Sequence, residues 1–486
     1  MDQDAQLLPR DKLLRDTFTP AETSLYCLIL ITANVAFWLA DPRSYWLLGF
    51  FLIAASMTPI ILKTHEHTHP FFVTFLWPKF WLCTAPVWLF LLQFALGLQQ
   101  QPFGKIIFDG TEFIRFEVPP QAWLPVSTAA KTTWPAALGF SAIYIVSVGL
   151  FLIPKSRAFF ERLMPYLCLS AVLPALFAYI QHGMNAEEPL LTKGTGAGDF
   201  IGFFPYDGHW AAFAILWTCA CISMALLSTR YDDSPPFVES TGPWYLTAGT
   251  IFGASAFLVE AKWPAVFLML TYAIMMMLFA ANIFTAKRDP HRRSIASFGG
   301  LISTSMFGAA LYRILQTGDS ALATESLRQA AREMFADRPL FGWGMDSFGH
   351  LLPFYGSDLL LGENYQRAGS DFLQILAENG ILGFLPATLL LLILVGRYLK
   401  GRHNMQLSNQ LLTGLASVLL LAFFDSPFMS PAVFFSFVIL LFVALRWADI
   451  SRNRADEVDA PRPSLVTPQS LRRVPFYTEP ENEQSK

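Results

Sequence analysis

"GSDFLQILAENGILGFLPATLLLLILVGRY", residues 369–398, sets two kinds of helix on either side of one glycine. Before Gly380, the polar side chains Asp371, Gln374 and Glu378 recur at spacings of three and four, which aligns them along one side of a short helix. After it, Ile381 opens an apolar run of the length a membrane crossing needs. Gly380 is expected to end the polar helix, so the stretch reads as a membrane span entered directly from a polar helix.

The rest of the chain extends that reading. Hydrophobic residues fill 53% of 486 positions and charged residues only 15%, where soluble chains carry about a quarter charged residues; the mean hydropathy is +0.41. This composition specifies an all-α, polytopic membrane protein. The net charge of -3 gives no reason to expect nucleic acid as a partner. Apolar runs near the crossing length fall at 25–41, 45–62, 80–98, 134–153, 165–181, 208–228, 243–259, 263–284, 295–315, 381–399, 407–424 and 429–447, so about 12 transmembrane helices are expected. The expected organisation is an N-terminal segment 1–24, spans one to nine within 25–315, a large partly helical loop 316–380, the last three spans within 381–447, and a disordered tail 448–486. The charged leader has no small-residue cleavage site, so a removed signal peptide is not expected.

Lys and Arg in the short loops set the orientation. Lys63, Lys79, Lys155, Arg157, Arg162, Lys287, Arg288, Arg292, Arg293, Arg397, Lys400 and Arg402 fall in one alternating set, which the positive-inside rule puts in the cytoplasm. Both termini are then cytoplasmic and 316–380 lies outside. The five cysteines sit in apolar stretches and read as packing rather than a disulfide framework. "HEHTH", 65–69, satisfies the zinc pattern H-E-x-x-H. Pro70 follows at once and no further ligand motif exists, so it is read as an interfacial loop, with no metal and no cofactor expected.

In "TESLRQAAREMFADRPLFGWGMDSFGH", 324–350, Leu327, Ala330, Ala331, Met334 and Phe335 share one helical face while Arg328 and Arg332 lie on another. Pro339 ends that helix, and Gly342 and Gly344 form a tight turn. The two arginines either pair with Glu325 and Glu333 on a solvated surface or bind an anion, since guanidinium forks match phosphate oxygens in pairs.

"DRPLFGWGMDSF" followed by "GSDFLQILAENGILGF" resembles the signature of the O-antigen ligase and O-antigen polymerase superfamily of bacterial inner-membrane glycan transferases, over about 324–400. Weaker echoes occur at "FFPYDGHWAAF", 203–213, and "FDSPFMSPA", 424–432. The resemblance implies a GT-C-like membrane fold and a metal-independent, inverting transfer of a glycan from undecaprenyl diphosphate to an acceptor hydroxyl on the periplasmic side. That acceptor is a lipid A core sugar, another glycan or a protein side chain, and membrane lipid surrounds the site. Asp371, Leu373, Gln374, Glu378 and Gly380 match the family pattern. The histidine the family carries eleven residues before that last glycine is absent, because Gly369 stands there. Where the family often shows Ser-Arg, this chain has Ala261 and Lys262.

Three explanations for the missing histidine stay open. His350, Glu363 or Asp371 replaces it, Arg367 supplies the cation it would have provided, or transfer has been lost. The expected acid–base residues are Asp371, Glu378 and His350, and the expected diphosphate ligands are Arg328, Arg338, Arg367 and Lys262. Asp371 also fits a helix N-cap with Gln374 returning a capping bond, and His209 beside Trp210 fits an interfacial anchor. The alternative function is a transporter or flippase of a polar or lipid-linked solute. Such proteins carry repeats and charged or broken helices at mid-membrane, whereas the ionisable residues here gather outside the spans.

Overall fold

The computed structural model describes residues 18–38, 45–68, 76–98, 103–108, 111–116, 124–128, 130–184, 200–228, 236–285, 290–316, 321–356, 365, 367–399 and 406–459. Glu363, His69 and the tail beyond 459 lie outside them, as does most of the N-terminal leader.

Helix α1, Pro20–Trp38, starts with Pro at its first position and a reciprocal cap: the Glu22 N–H donates to Thr19 Oγ1 at 3.2 Å and the Thr19 N–H to Glu22 Oε2 at 3.0 Å. Then follow α2, Tyr45–Thr68; α3, Leu76–Gly97; α4, Ala130–Leu152; α5, Arg157–Gly183; α6, Asp207–Leu227; and α7, Gly242–Ala254. The chain continues with α8, Lys262–Thr285; α9, Arg292–Leu315; α10, Ala321–Asp337; α11, Phe348–Tyr355; α12, Asp371–Leu399; α13, Gln406–Leu421; and α14, Pro431–Asp459. Ten of these helices are long and apolar enough to cross a membrane. Of the twelve expected runs, 243–259 and 407–424 form the shorter helices α7 and α13. Two other expectations shift: "HEHTH" is helical through Thr68 rather than a loop, and α14 runs on to Asp459 instead of ending near 447.

Every residue of α6 is buried, and α7, α8, α13 and α14 pack around it. Its two tryptophans find hydroxyl partners in the core, Trp210 Nε1 on Ser255 Oγ at 2.9 Å and Trp217 Nε1 on Ser436 Oγ at 3.0 Å. An indole N–H buried in an apolar interior needs such a partner. In contrast, α9 packs chiefly on α8 and exposes Leu301, Phe307, Leu311 and Leu315, while the second half of α12 exposes Leu385, Leu389, Leu392 and Ile393. Those are surfaces suited to lipid rather than water.

Side-chain links sort the helix termini into two ends. Lys155 N donates to Glu22 at 3.0 Å, Arg446 Nη2 to Pro154 O at 2.6 Å and Arg157 Nε to Ser451 Oγ at 2.8 Å. The start of α1 and the end of α14 therefore share one end. At the other, Asp207 at the start of α6 accepts the N–H groups of Glu260 and Ala261 at 2.6 and 2.7 Å, just ahead of α8. Since α7 begins near Ser228, where Ser228 and Ser240 hydroxyls lie 3.4 Å apart, it runs the length of α6 with the help of the 3-10 turn Ser255–Phe257. Likewise α13 begins where Gln406 bonds Asn282 near the end of α8 at 2.8 Å, and leads to Asp425 beside the start of α6.

The segment 316–380 builds a small core of its own on α10, α11 and the first turns of α12. Leu327, Ala330, Ala331 and Met334 are buried there as the apolar stripe required, with Phe335 packed at the edge. Gly380 breaks α12 at φ 65°. The N–H groups freed beyond the break donate outside the helix, Ile381 to Pro339 O at 2.9 Å and Leu382 to Leu340 O at 3.0 Å. The carbonyls before it are met as well: Ala377 O and Glu378 O accept Trp343 N at 3.1 Å and Gly344 N at 2.8 Å. A side chain at Gly342 or Gly380 would run into the opposing main chain, so both glycines are required by this close approach. The loop before α4 and the first turn of α4 support the same turn, as Thr128 Oγ1 donates to Trp343 O and Thr133 Oγ1 to Met345 O at 2.6 Å. Upstream, β1 (Phe103–Phe108) pairs antiparallel with β2 (Thr111–Phe116), a hairpin the sequence reading did not assign.

Candidate functional site

The stripe Asp371, Gln374 and Glu378 is buried and each member grips a different piece of main chain. Asp371 Oδ2 accepts the Phe428 N–H at 2.5 Å, Gln374 Oε1 accepts the Ala368 N–H at 3.1 Å, and Glu378 accepts Asp346 N at 3.0 Å and Phe348 N at 3.2 Å. Glu378 Oε1 also receives Gln374 Nε2 at 3.1 Å. Its carboxylate thus closes the turn ahead of α11, where Asp346 holds φ 60°. The expected N-cap role belongs to Ser370, not Asp371: Ser370 Oγ receives the Leu373 N–H at 3.5 Å. Asp371 differs from Glu378 in one respect. Its Oδ1 atom is buried and has no hydrogen-bond partner among the described residues, an arrangement that disfavours the isolated fold by about 1–3 kcal/mol and points to a task beyond stability.

Around Asp371 the tertiary fold assembles groups from four parts of the chain. Arg328 of α10 donates from Nε and Nη2 to Gly369 O at 3.3 and 3.2 Å and from Nη2 to Phe424 O at 3.1 Å, while Glu325 Oε2 lies 3.7 Å from its Nη1. Both main-chain acceptors are neutral, and the side chain stays 19% exposed. Arg367 places its guanidinium 4.4 Å from the centre of the Tyr206 ring. The Tyr206 hydroxyl donates to Asp425, 2.8 Å from Oδ1 and 2.9 Å from Oδ2. Asp425 in turn joins α12, since its carbonyl accepts the Asp371 N–H at 3.0 Å. His209 Nε2 lies 3.0 Å from Ser426 O, fully inside the protein rather than at an interface.

Burial pushes Asp425 above the usual carboxylate range, opposed by the Ser426 N–H, the Tyr206 hydroxyl, Arg367 and Arg328. Burial likewise raises Tyr206, reinforced by the charge of Asp425. The cluster is therefore two guanidinium groups facing two buried carboxyl groups, with a phenol between them.

The structure divides the expected site residues. Arg328, Arg367 and Asp371 come together. Lys262 approaches the same rim: its Nζ donates to Gln316 O at 2.6 Å and lies 5.8 Å from the Trp263 ring, which packs at 4.8 Å on the ring of Phe424. Arg338 does not join them. It follows α10, about 15 Å of helix rise from Arg328, with its guanidinium 5.0 Å from the Trp343 ring beside a cavity of about 230 Å³ lined by Leu124, Pro339, Phe341 and Gly342. His350 is exposed on α11. Glu378 lies two turns along α12 from Asp371. At Gly369 the backbone has φ 65°, and a Cβ would stand 3.0 Å from Thr324 Cγ2, so a histidine would be strained here by about 1–2 kcal/mol. Tyr206, His209 and Asp425 were not singled out as site residues in the sequence. The echoes at 203–213 and 424–432 are the signal that marks their segments.

Among the described residues no three His, Cys, Asp or Glu side chains converge as metal ligands. Comparison with known proteins adds no relative: no family model matches the chain, and no curated protein matches it.

Proposed function

We propose that this chain is a membrane glycosyltransferase that moves a glycan from undecaprenyl diphosphate to an acceptor hydroxyl on the periplasmic side, as an O-antigen ligase or polymerase does. In this reading the protein sits in the bacterial inner membrane with twelve crossings, α7 and α13 being the two short ones. Both termini face the cytoplasm and α10, α11 and the Arg328–Arg367 cluster face the periplasm. One observation carries the reading: Arg328, which donates to the Gly369 and Phe424 carbonyls, and Arg367, which lies over the Tyr206 ring, converge beside the buried Asp371. The apolar surfaces of α9 and α12 lie in the adjoining layer, where a polyprenyl tail would remain in lipid.

The chemistry follows from that placement. The acceptor oxygen bonds to the anomeric carbon from the face opposite the diphosphate, so configuration inverts. The carbon–oxygen bond to the carrier breaks and its electron pair leaves with the diphosphate, whose growing charge the two guanidinium groups stabilise. The acceptor proton passes to Asp371, whose Oδ2 is fixed by the Phe428 N–H while Oδ1 is uncommitted. Asp371 thus fills the position left by the family histidine. Glu378 shapes the turn that carries α11, and His350 stands away from the cluster.

Cells lacking the gene test the class of function. Lipid-linked glycan is expected to accumulate with its sugars exposed on the periplasmic face, measured by impermeant lectin binding to intact spheroplasts. Accumulation on the cytoplasmic face would instead identify an exporter.

A further inference from the structure

The carbonyl that receives Arg328 Nη2 at 3.1 Å belongs to Phe424, in the turn that follows α13. One residue earlier stands Phe423, and before it Ala422, whose carbonyl accepts the Phe372 N–H at 3.3 Å and the Ser370 hydroxyl at 3.2 Å. The turn thus carries a guanidinium on its main chain and two phenyl rings on its side chains. Each ring leans on a different helix. Phe423 lies 5.0 Å from Phe372 of α12 at an interplanar angle of 33°, and Phe372 meets Phe384 edge-on at 5.6 Å. Phe424 lies 4.8 Å from Trp263 of α8 at 32° and 5.8 Å from Phe267. A near-parallel ring pair covers one face of each member. Phe423 is nevertheless 51% exposed and Phe424 38%, so the area they show lies on the sides turned away from those partners. The apolar surface continues past them: Leu420 of α13 is exposed, as are Leu385, Leu389 and Leu392 of α12.

We propose that Phe423 and Phe424 recognise the isoprene units next to the diphosphate of a polyprenyl carrier, and that they select an unsaturated chain over a saturated one. This rests on the diphosphate reading of Arg328 and assigns residues to a part of the carrier that the transfer chemistry leaves unassigned.

The order of groups on the protein matches the order on the carrier. A cation at Phe424 O meets the diphosphate, the two rings meet the carbons that adjoin it, and the exposed leucines meet the rest of the chain. Inside a membrane the tail gains little by leaving lipid for an apolar helix, because both surroundings are free of water. What the protein can read there is shape. The double-bond carbons of an isoprene unit and their substituents share a plane and do not rotate, so laying such a unit on a ring orders fewer bonds than laying down a saturated chain. A phenyl face is the complementary flat surface, whereas a leucine offers none. Fixing the first units also fixes the direction of the diphosphate they carry, and with it the bond that must break.

The test titrates full-length protein in detergent with three probes: inorganic pyrophosphate, farnesyl diphosphate and the fully saturated counterpart of farnesyl diphosphate. Partition of each tail into micelles is common to all variants, so the readout is the farnesyl-to-saturated affinity ratio of wild type divided by that of the variant. For Phe423→Leu and Phe424→Leu combined this quotient should be about three to ten, and for each single substitution it should lie between one and that value. Pyrophosphate affinity should stay within about twofold of wild type in all three. Both rings are at the surface, so leucine is expected to leave the thermal midpoint in place, and the single variants carry the test if the combined one does not fold. A quotient of one would make the rings ordinary lipid contacts and overturn the proposal. Equal weakening of all three probes would make them mere supports for Arg328 and overturn it as well. A different result would remove the diphosphate reading itself: pyrophosphate binding that is absent, or indifferent to Arg328→Gln.

Discussion

At Glu378 a buried carboxyl group is held by main-chain donors and an amide rather than by a cation. Asp346 N, Phe348 N and Gln374 Nε2 all converge on it. Glu378→Ala leaves those donors buried without an acceptor, and each such loss is worth about 1–3 kcal/mol. A thermal scan of the purified protein should show a destabilisation of at least about 2 kcal/mol, while an unchanged midpoint would mean that water replaces the carboxylate without loss. Asp371 lies on the same stripe with the opposite character, one oxygen fixed and one uncommitted. Sequence spacing found this stripe, since residues three and four apart must share a helix side. It could not rank its members, because their difference lies in what Phe428, Asp346 and Phe348 bring from elsewhere in the chain. Asp425 and Tyr206 were harder still: each belongs to an irregular segment, where periodicity carries no information, and they meet only through the tertiary fold.

Among the elements, the break in α12 depends on its partners as much as on Gly380. Gln93 of α3 donates from a single Nε2 to Phe341 O at 2.7 Å and Asn379 O at 2.9 Å, tying the turn, the break and a neighbouring span together. Gln93→Leu preserves the shape of that side chain but strands two buried carbonyls. The expected loss is about 1–3 kcal/mol, with faster hydrogen exchange confined to residues 338–346 and 377–382; exchange that is unchanged there would contradict the tie. The glycine stop, the apolar stripe of α10 and the turn at Gly342 and Gly344 were legible because each is a local device with a local signature. The limits of α7 and α13 were not, because a hydropathy window measures apolar content and does not see where a helix gives way to a 3-10 turn. The hairpin Phe103–Phe116 was missed for a related reason: Gly104, Lys105, Glu112 and Arg115 interrupt the strict alternation that marks a half-buried strand.

For the whole molecule, the wholly buried α6 anchors the bundle, and the start of α6, the start of α12 and the end of α13 meet at one end, where Tyr206, Asp371 and Asp425 come together. The start of α1 and the end of α14 share the opposite end. Composition was enough to specify a helical membrane protein. The central claim is that Arg328 and Arg367 grip the diphosphate of a lipid-linked glycan as its sugar departs. The most direct measurement is turnover of undecaprenyl-diphosphate-linked glycan in proteoliposomes for wild type, Arg328→Gln and Arg367→Gln, each checked for intact folding. Loss of a charge-assisted contact to the departing diphosphate is worth about 1.5–3 kcal/mol, so each variant should turn over roughly ten- to a hundredfold more slowly. Wild-type rates in both variants would contradict it.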